Sequence, residues 1–261
     1  MMRLIDVREE KHIAYVKINR PETRNAFDPR MIEELTKVFR GLNQRAELRA
    51  VVLQGEGKVF CAGADLNWMK EMVNYTFDQN RDDSKKLFAM FEAIADCSLP
   101  TICLVQGAAF GGALGLIACC DYVIADPATQ FCFSEVKLGL APAVISAFVN
   151  RRCNARKTRY YMISGAVFNS AQAIEMGLAH EVVPIGDFEL QLSSIFAQVG
   201  ECGPEAVRET KKLLNSLPTL SWSEQRELTT QVIAERRVSN EGQEGLKSFL
   251  EKRGPHWRSR A

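Results

Sequence analysis

With 261 residues the chain is long enough to bury a substantial core, as one large domain or a domain with an appendage. Hydrophobic residues at 46% and charged residues at 25% are the balance of an ordinary globular protein and leave little room for a disordered or membrane-embedded chain. A formal net charge of +1 argues against a broad electrostatic footprint for nucleic acid or an anionic membrane. No run is both long and apolar enough for a membrane span. The start, Met1-Met2-Arg3-Leu4-Ile5-Asp6, lacks the apolar segment of a secretory signal. A cytoplasmic location is therefore the default expectation, although an organelle form stripped of its transit peptide would read the same. Of the eight cysteines, Cys103, Cys119, Cys120 and Cys132 sit within apolar runs and read as reduced, buried thiols. His12, His180 and His256 are widely separated and give no metal-ligand spacing, so no metal is expected.

In chain order, residues His12 to Asn19 alternate like a half-buried strand and stop at the Arg20-Pro21 turn. From Asp28 to Asn43, Met31, Leu35, Val38, Phe39 and Leu42 recur at helical spacing, with Asp28 available as N-cap ahead of Pro29. Residues 50–54 and 101–105 read as buried strands. Between them the polar stretch Asn74 to Lys86 reads as mobile, followed by a helix to Ala95. A short apolar helix over 111–120 leads to further strands at 121–125 and 129–133. From residue 142 onward the pattern is almost entirely helical, and 221–238 and 241–253 are amphipathic. The expected division is an α/β core over residues 1–185 and a C-terminal helical region over 186–261, with a soft boundary at Pro184 to Asp187.

Two glycine-rich turns stand out, Cys61-Ala62-Gly63-Ala64-Asp65-Leu66 and Phe110-Gly111-Gly112-Ala113-Leu114-Gly115. Each follows an apolar run and leads into a helix, so each can aim backbone N–H groups at one point. Two such donors converging on a carbonyl oxygen make an oxyanion hole, which stabilises the charge that develops when a thioester becomes an enolate. About twenty residues beyond the second turn, Phe133-Ser134-Glu135-Val136 supplies a carboxylate in an otherwise apolar stretch. The alternative for Gly111 and Gly112 is tight helix–strand packing; for Glu135 it is a cap or a structural ion pair.

These turns, together with Asn19-Arg20-Pro21-Glu22-Thr23-Arg24-Asn25-Ala26 and the late segment from Glu241 to Arg253, resemble the crotonase (enoyl-CoA hydratase/isomerase) superfamily over nearly the whole chain. The resemblance implies a ββα superhelix with a C-terminal helical trimerisation region, an acyl-CoA thioester as substrate, and a homotrimer or homohexamer. It places the oxyanion donors on the amides of Ala64 and Gly112 and the catalytic carboxylate on Glu135. Arg24, Ala26 and Lys58 match positions toward the nucleotide end of CoA, and Phe249 and Lys252 match a tail contact often supplied by a neighbouring subunit. Ala62, Asp65, Leu66, Gly111 and Gly115 match the substrate-binding turns. Trp68 shapes the acyl pocket or belongs to the core. No metal or redox cofactor is implied, because the thioester acidifies its own α-carbon and CoA is part of the substrate.

The chain departs from many family hydratases at one place. A second glutamate often stands where this sequence has Gly115. A narrower similarity, carried by residues 64–69, 111–117 and 134–146, is to bacterial methylglutaconyl-CoA hydratases, whose pattern also has a small residue there. Three other readings stay open: a double-bond isomerase, a dehydratase of carrier-protein-bound hydroxymethylglutaryl thioesters, and an RNA-binding protein using Arg151, Arg152, Arg156, Lys157 and Arg159. A glutaconyl substrate needs a partner for its distal carboxylate. Asn67, Lys70 and Lys137 are merely nearby in sequence.

Overall fold

The computed structural model describes residues 3–260. Two strands, β1 (Ile5–Glu10) and β2 (Ile13–Ile18), form an antiparallel pair at one edge of a six-stranded sheet. The helix α1 (Pro29–Leu42) carries the chain to β3 (Ala50–Gly55), which lies parallel to β2. Two helices, α2 (Leu66–Met72) and α3 (Phe77–Ala95), then lead to β4 (Thr101–Val105). A short strand β5 (Ala108–Phe110) and the helix α4 (Ala113–Cys119) precede β6 (Tyr122–Ala125). After β7 (Gln130–Cys132) come α5 (Ala143–Arg152), α6 (Ala155–Ser164), β8 (Phe168–Asn169), α7 (Ser170–Met176) and β9 (Glu181–Val182). The large sheet runs β1-β2-β3-β4-β6-β9, parallel from β2 onward, and a smaller one runs β5-β7-β8. The chain ends in α8 (Phe188–Glu201), α9 (Pro204–Ser216), α10 (Trp222–Val238) and α11 (Asn240–Leu250).

The central strands are apolar on both faces, as parallel strands covered on two sides require. Val16, Val51, Leu53, Cys103, Val105 and Val123 face the main core with α1, α3 and α4. The alternate residues Ile13, Ala50, Val52, Ile102, Leu104 and Ile124 pack against Phe188 and Leu192 of α8. Helix α1 begins where Asp28 accepts from the Met31 amide at 2.7 Å, with Pro29 in its first turn. The helical tail is tied to the sheet by the buried Lys211 of α9, which donates to the Leu99 carbonyl (2.9 Å) and to the Asp121 carboxylate.

Two expectations need correction. The stretch Asn74 to Lys86 is not mobile chain: α3 begins at Phe77, where Thr76 and Gln79 form a reciprocal capping box. Its polar residues face solvent, joined by Asp78–Arg81 (3.1 Å) and Asp82–Lys85 (2.8 Å) one turn apart. Strand β1 has no counterpart in the sequence reading. Only Ile5 of its residues is buried, so the alternation that marks a strand is absent. The apolar helix expected over 111–120 starts two residues later, because Gly111 takes a left-handed turn and Gly112 caps α4.

Candidate active site

The two glycine-rich turns lie side by side. The Cys61 amide donates to the Ala108 carbonyl (3.2 Å), and the Phe110 amide donates to the Cys61 carbonyl (3.1 Å). Phe27 clasps the first turn from its other side. Its amide donates to the Gly63 carbonyl (2.7 Å) and its carbonyl accepts from the Asp65 amide (2.8 Å). Gly63 sits at φ +95°, and a Cβ there would lie 2.9 Å from the Phe110 carbonyl oxygen, so only glycine fits this crossing.

Asp65 sets the start of α2. Its carboxylate accepts from the Asn67 amide (2.8 Å), capping that helix, and from the Arg20 guanidinium (2.9 Å), which also lies 3.3 Å from Asp28. Burial by itself raises the Asp65 carboxyl, but the hydrogen bonds from Asn67 and Arg20 outweigh it and hold the group below its ordinary value. This buried cluster was not evident from the sequence. The Asn19-Arg20-Pro21 segment marked the turn, but nothing local joins Arg20 to a carboxylate 45 residues away.

In the second turn the Gly111 amide donates to the Cys132 carbonyl (2.9 Å), which leaves Gly112 as the first residue facing outward. The Phe27 ring lies 3.0 Å from where a Gly112 Cβ would be, so one residue supports both turns, the first through its backbone and the second through its ring. Among the described residues the amides of Ala64 and Gly112 have no acceptor. Two unpaired N–H groups on adjoining turns are the arrangement an oxyanion hole needs.

Glu135 lies on a short 3-10 turn, Ser134–Leu138, that follows β7. A Cβ built on Gly111 would be 3.4 Å from Glu135 Oε1, so the carboxylate rests against the second turn. Its Oε2 is buried and has no hydrogen-bond partner. Burial pushes the Glu135 carboxyl above its ordinary value, opposed in part by a backbone hydrogen bond within the residue. The fully buried rings of Phe131 and Phe133 precede it. No carboxylate stands at position 115. Gly115 is buried, and a Cβ there would come within 2.6 Å of the Phe91 ring and 2.8 Å of Ile145.

The remaining residues singled out from the sequence are less closely joined. Arg24 is exposed at φ +53°, and its carbonyl accepts from the Ala62 amide (3.0 Å), which ties this turn to the first glycine-rich turn. Ala26 is buried and its carbonyl accepts from Arg20. Lys58 and Leu66 are exposed, whereas Trp68 is buried. Phe249 and Lys252 lie at the end of α11, which packs on α9 and α10, and no hydrogen bond or ion pair among the described residues links them to either turn. Within the basic run, Arg152 pairs with Asp121 and Lys157 with Glu175, each at 3.4 Å. Among the described residues no group of three His, Cys, Asp or Glu could hold a metal ion, and no helix is long and apolar enough to cross a membrane.

Unpaired amides on adjoining turns beside a buried carboxylate suit acyl-thioester chemistry, and comparison with known proteins gives the family. The profile of the enoyl-CoA hydratase/isomerase family matches residues 8–260, and the chain belongs to that family. An enoyl-CoA hydratase from Shewanella pealeana superposes with a TM-score of 0.93 at 38% identity, covering 98% of this chain and 96% of that one. The protein AtuE of Pseudomonas aeruginosa superposes with a TM-score of 0.95 at 29% identity, covering 98% and 100%. A Thermus thermophilus relative named "Putative enoyl-CoA hydratase" is 30% identical over 249 residues, covering 95% of this chain and 98% of its own. The crotonase-like α/β fold that the family resemblance implies is the fold observed.

Proposed function

We propose that this enzyme adds water syn across the double bond of an α,β-unsaturated acyl-CoA, with 3-methylglutaconyl-CoA as substrate and 3-hydroxy-3-methylglutaryl-CoA as product. The Ala64 and Gly112 amides hold the thioester oxygen as enolate charge grows. Glu135 accepts a proton from water while the water oxygen bonds to the β-carbon, and the same carboxyl then delivers a proton to the α-carbon. The carrying observation is the unpartnered, buried Oε2 of Glu135 beside the second turn. A carboxyl raised by burial is a stronger base than a solvated one. CoA enters as part of the substrate, and no further cofactor is called for.

The acyl group is argued from the resemblance to methylglutaconyl-CoA hydratases and from the filled space at Gly115, which supports a mechanism with one carboxylate. That same feature favours the second reading, a double-bond isomerase, in which Glu135 carries a proton between carbons and no water enters. The exposed Trp222, Val238, Phe249 and Leu250 support a homotrimer or homohexamer that covers them. The expected location is the cytoplasm.

A panel of crotonyl-, 3-methylcrotonyl- and 3-methylglutaconyl-CoA, followed at the absorbance of the conjugated thioester, tests the reading. A hydratase consumes that absorbance, fastest with 3-methylglutaconyl-CoA, whereas an isomerase creates it from an unconjugated substrate. Glu135→Gln is expected to lower hydration by about 10²–10⁴. The wild-type kcat/KM falls as pH drops, through a value above the ordinary glutamate pKa of about 4.3, because the ionised base is lost. Retention of hydration within about tenfold in Glu135→Gln, well short of a general acid–base contribution, would sink the single-carboxylate mechanism.

A further inference from the structure

Among the described residues three buried side-chain atoms lack a hydrogen-bond partner: Trp68 Nε1, Glu135 Oε2 and Arg236 Nε. Arg236 already pairs with Glu205 (3.0 Å) and Glu241 (3.2 Å) through its other nitrogens. The other two, one donor and one acceptor, belong to the segments that frame the oxyanion turns. Glu135 is accounted for by the reaction; Trp68 is not. Its side chain is only 5% exposed, and an indole N–H buried without an acceptor is a standing cost that a bound ligand can remove.

Its position suggests which ligand. Trp68 lies in the first turn of α2, whose cap is Asp65, the residue after Ala64. Helical side chains lean toward the helix N-terminus, so the indole leans back over the turn that carries the Ala64 amide. Trp68 belongs to the same buried core cluster as Phe91 and Ile145, the two side chains that fill the space above Gly115. On this lean Trp68 approaches the thioester from the Ala64 side, while Glu135 rests against Gly111. The reacting water falls to Glu135, and the indole is left for the acyl chain.

We infer that the Trp68 indole N–H is a specificity-determining donor that accepts acyl chains ending in a carboxylate in preference to plain alkenoyl chains. This rests on the acyl-CoA hydratase reading and supplies the partner that a glutaconyl-type substrate requires. A hydrogen bond from the indole to an ionised oxygen is stronger than one to a neutral group, so the preference has a direction.

The test is binding of two saturated, unreactive thioesters, glutaryl-CoA and butyryl-CoA, to the full-length protein by titration calorimetry. Wild type is expected to favour glutaryl-CoA. Trp68→Phe, which keeps the aromatic bulk and deletes the donor, is expected to weaken glutaryl-CoA about tenfold more than butyryl-CoA. Trp68→His retains a ring N–H and is expected to keep part of the preference, and it serves if Trp68→Phe does not fold. Equal weakening of both thioesters, no weakening of either, or a wild type without preference would each overturn the assignment. Hydration of 3-methylglutaconyl-CoA by wild type is measured in parallel. Its absence would defeat the hydratase reading while the two affinities still judge Trp68.

Discussion

The turns that carry Ala64 and Gly112 are held in place by different physics. Around Ala64 the backbone is anchored by ionised groups, with Arg20 bridging the Asp65 and Asp28 carboxylates in a buried cluster and Asp65 capping the next helix. Around Gly112 the supports are apolar: the Phe27 ring below, a wholly buried helix α4 beyond, and Phe91 and Ile145 pressed on Gly115. A polar clamp responds to loss of one partner and to pH, whereas a packed turn responds to volume. The two turns should therefore fail in different ways.

On turnover, the largest effect at either turn is expected from removing a donor outright. Gly112 sits at φ −52°, a value proline tolerates, so Gly112→Pro chiefly deletes the N–H. Gly112→Ala adds the same first carbon against Phe27 but keeps the donor, which makes it the matched control. The expected ratio of their kcat values is about 10²–10³, corresponding to roughly 2.7–4 kcal/mol of transition-state stabilisation. Similar rates in the two folded variants would remove Gly112 from the oxyanion hole.

On the polar side, Arg20→Met leaves Asp65 and Asp28 buried without their cation and is expected to destabilise the fold by about 3–5 kcal/mol, measured by urea unfolding. The clamp also has a pH dependence. Because the Asp65 carboxyl is held below its ordinary value, its contribution is complete above the unfolded pKa of about 3.9 and is lost as pH falls through the lower folded value. Asp65→Asn should thus flatten the acid limb of the stability curve. An acid limb as steep as that of wild type would mean other carboxylates dominate it.

The contrast between the turns also explains what could be read from the sequence. The packed turn announces itself locally, because Phe110-Gly111-Gly112 leads into an unbroken apolar helix and β7, the second strand after it, leads to Glu135. The clamp does not, since Arg20, Asp28 and Asp65 come from three separate segments that the fold brings together. Helix α3 was missed over its first turns for a related reason. Its polar residues look like loop when judged by composition, although Thr76 and Gln79 carry the spacing of a capping box. At position 115 the absence of a glutamate was plain, but the Phe91 and Ile145 side chains that fill the space are 24 residues before it and 30 after.

Those two side chains set the smallest of the expected effects. In Gly115→Ala the new methyl group would stand 2.6 Å from the Phe91 ring, closer than real carbon contacts, so the ring or α4 must shift. Overpacking of this kind costs about 1–3 kcal/mol. Phe91→Leu removes the ring atoms that crowd the methyl group but leaves the Ile145 contact at 2.8 Å, so relief should be partial. Phe91→Leu alone opens a cavity, whereas in the double variant the added methyl group occupies part of it. The double variant should therefore be more stable than the sum of the single changes allows, with a coupling of about 0.5–3 kcal/mol in a double-mutant cycle by urea unfolding. Strict additivity would show that Gly115 is not held by Phe91, and the apolar support of the second turn would have to be sought in Phe27 alone.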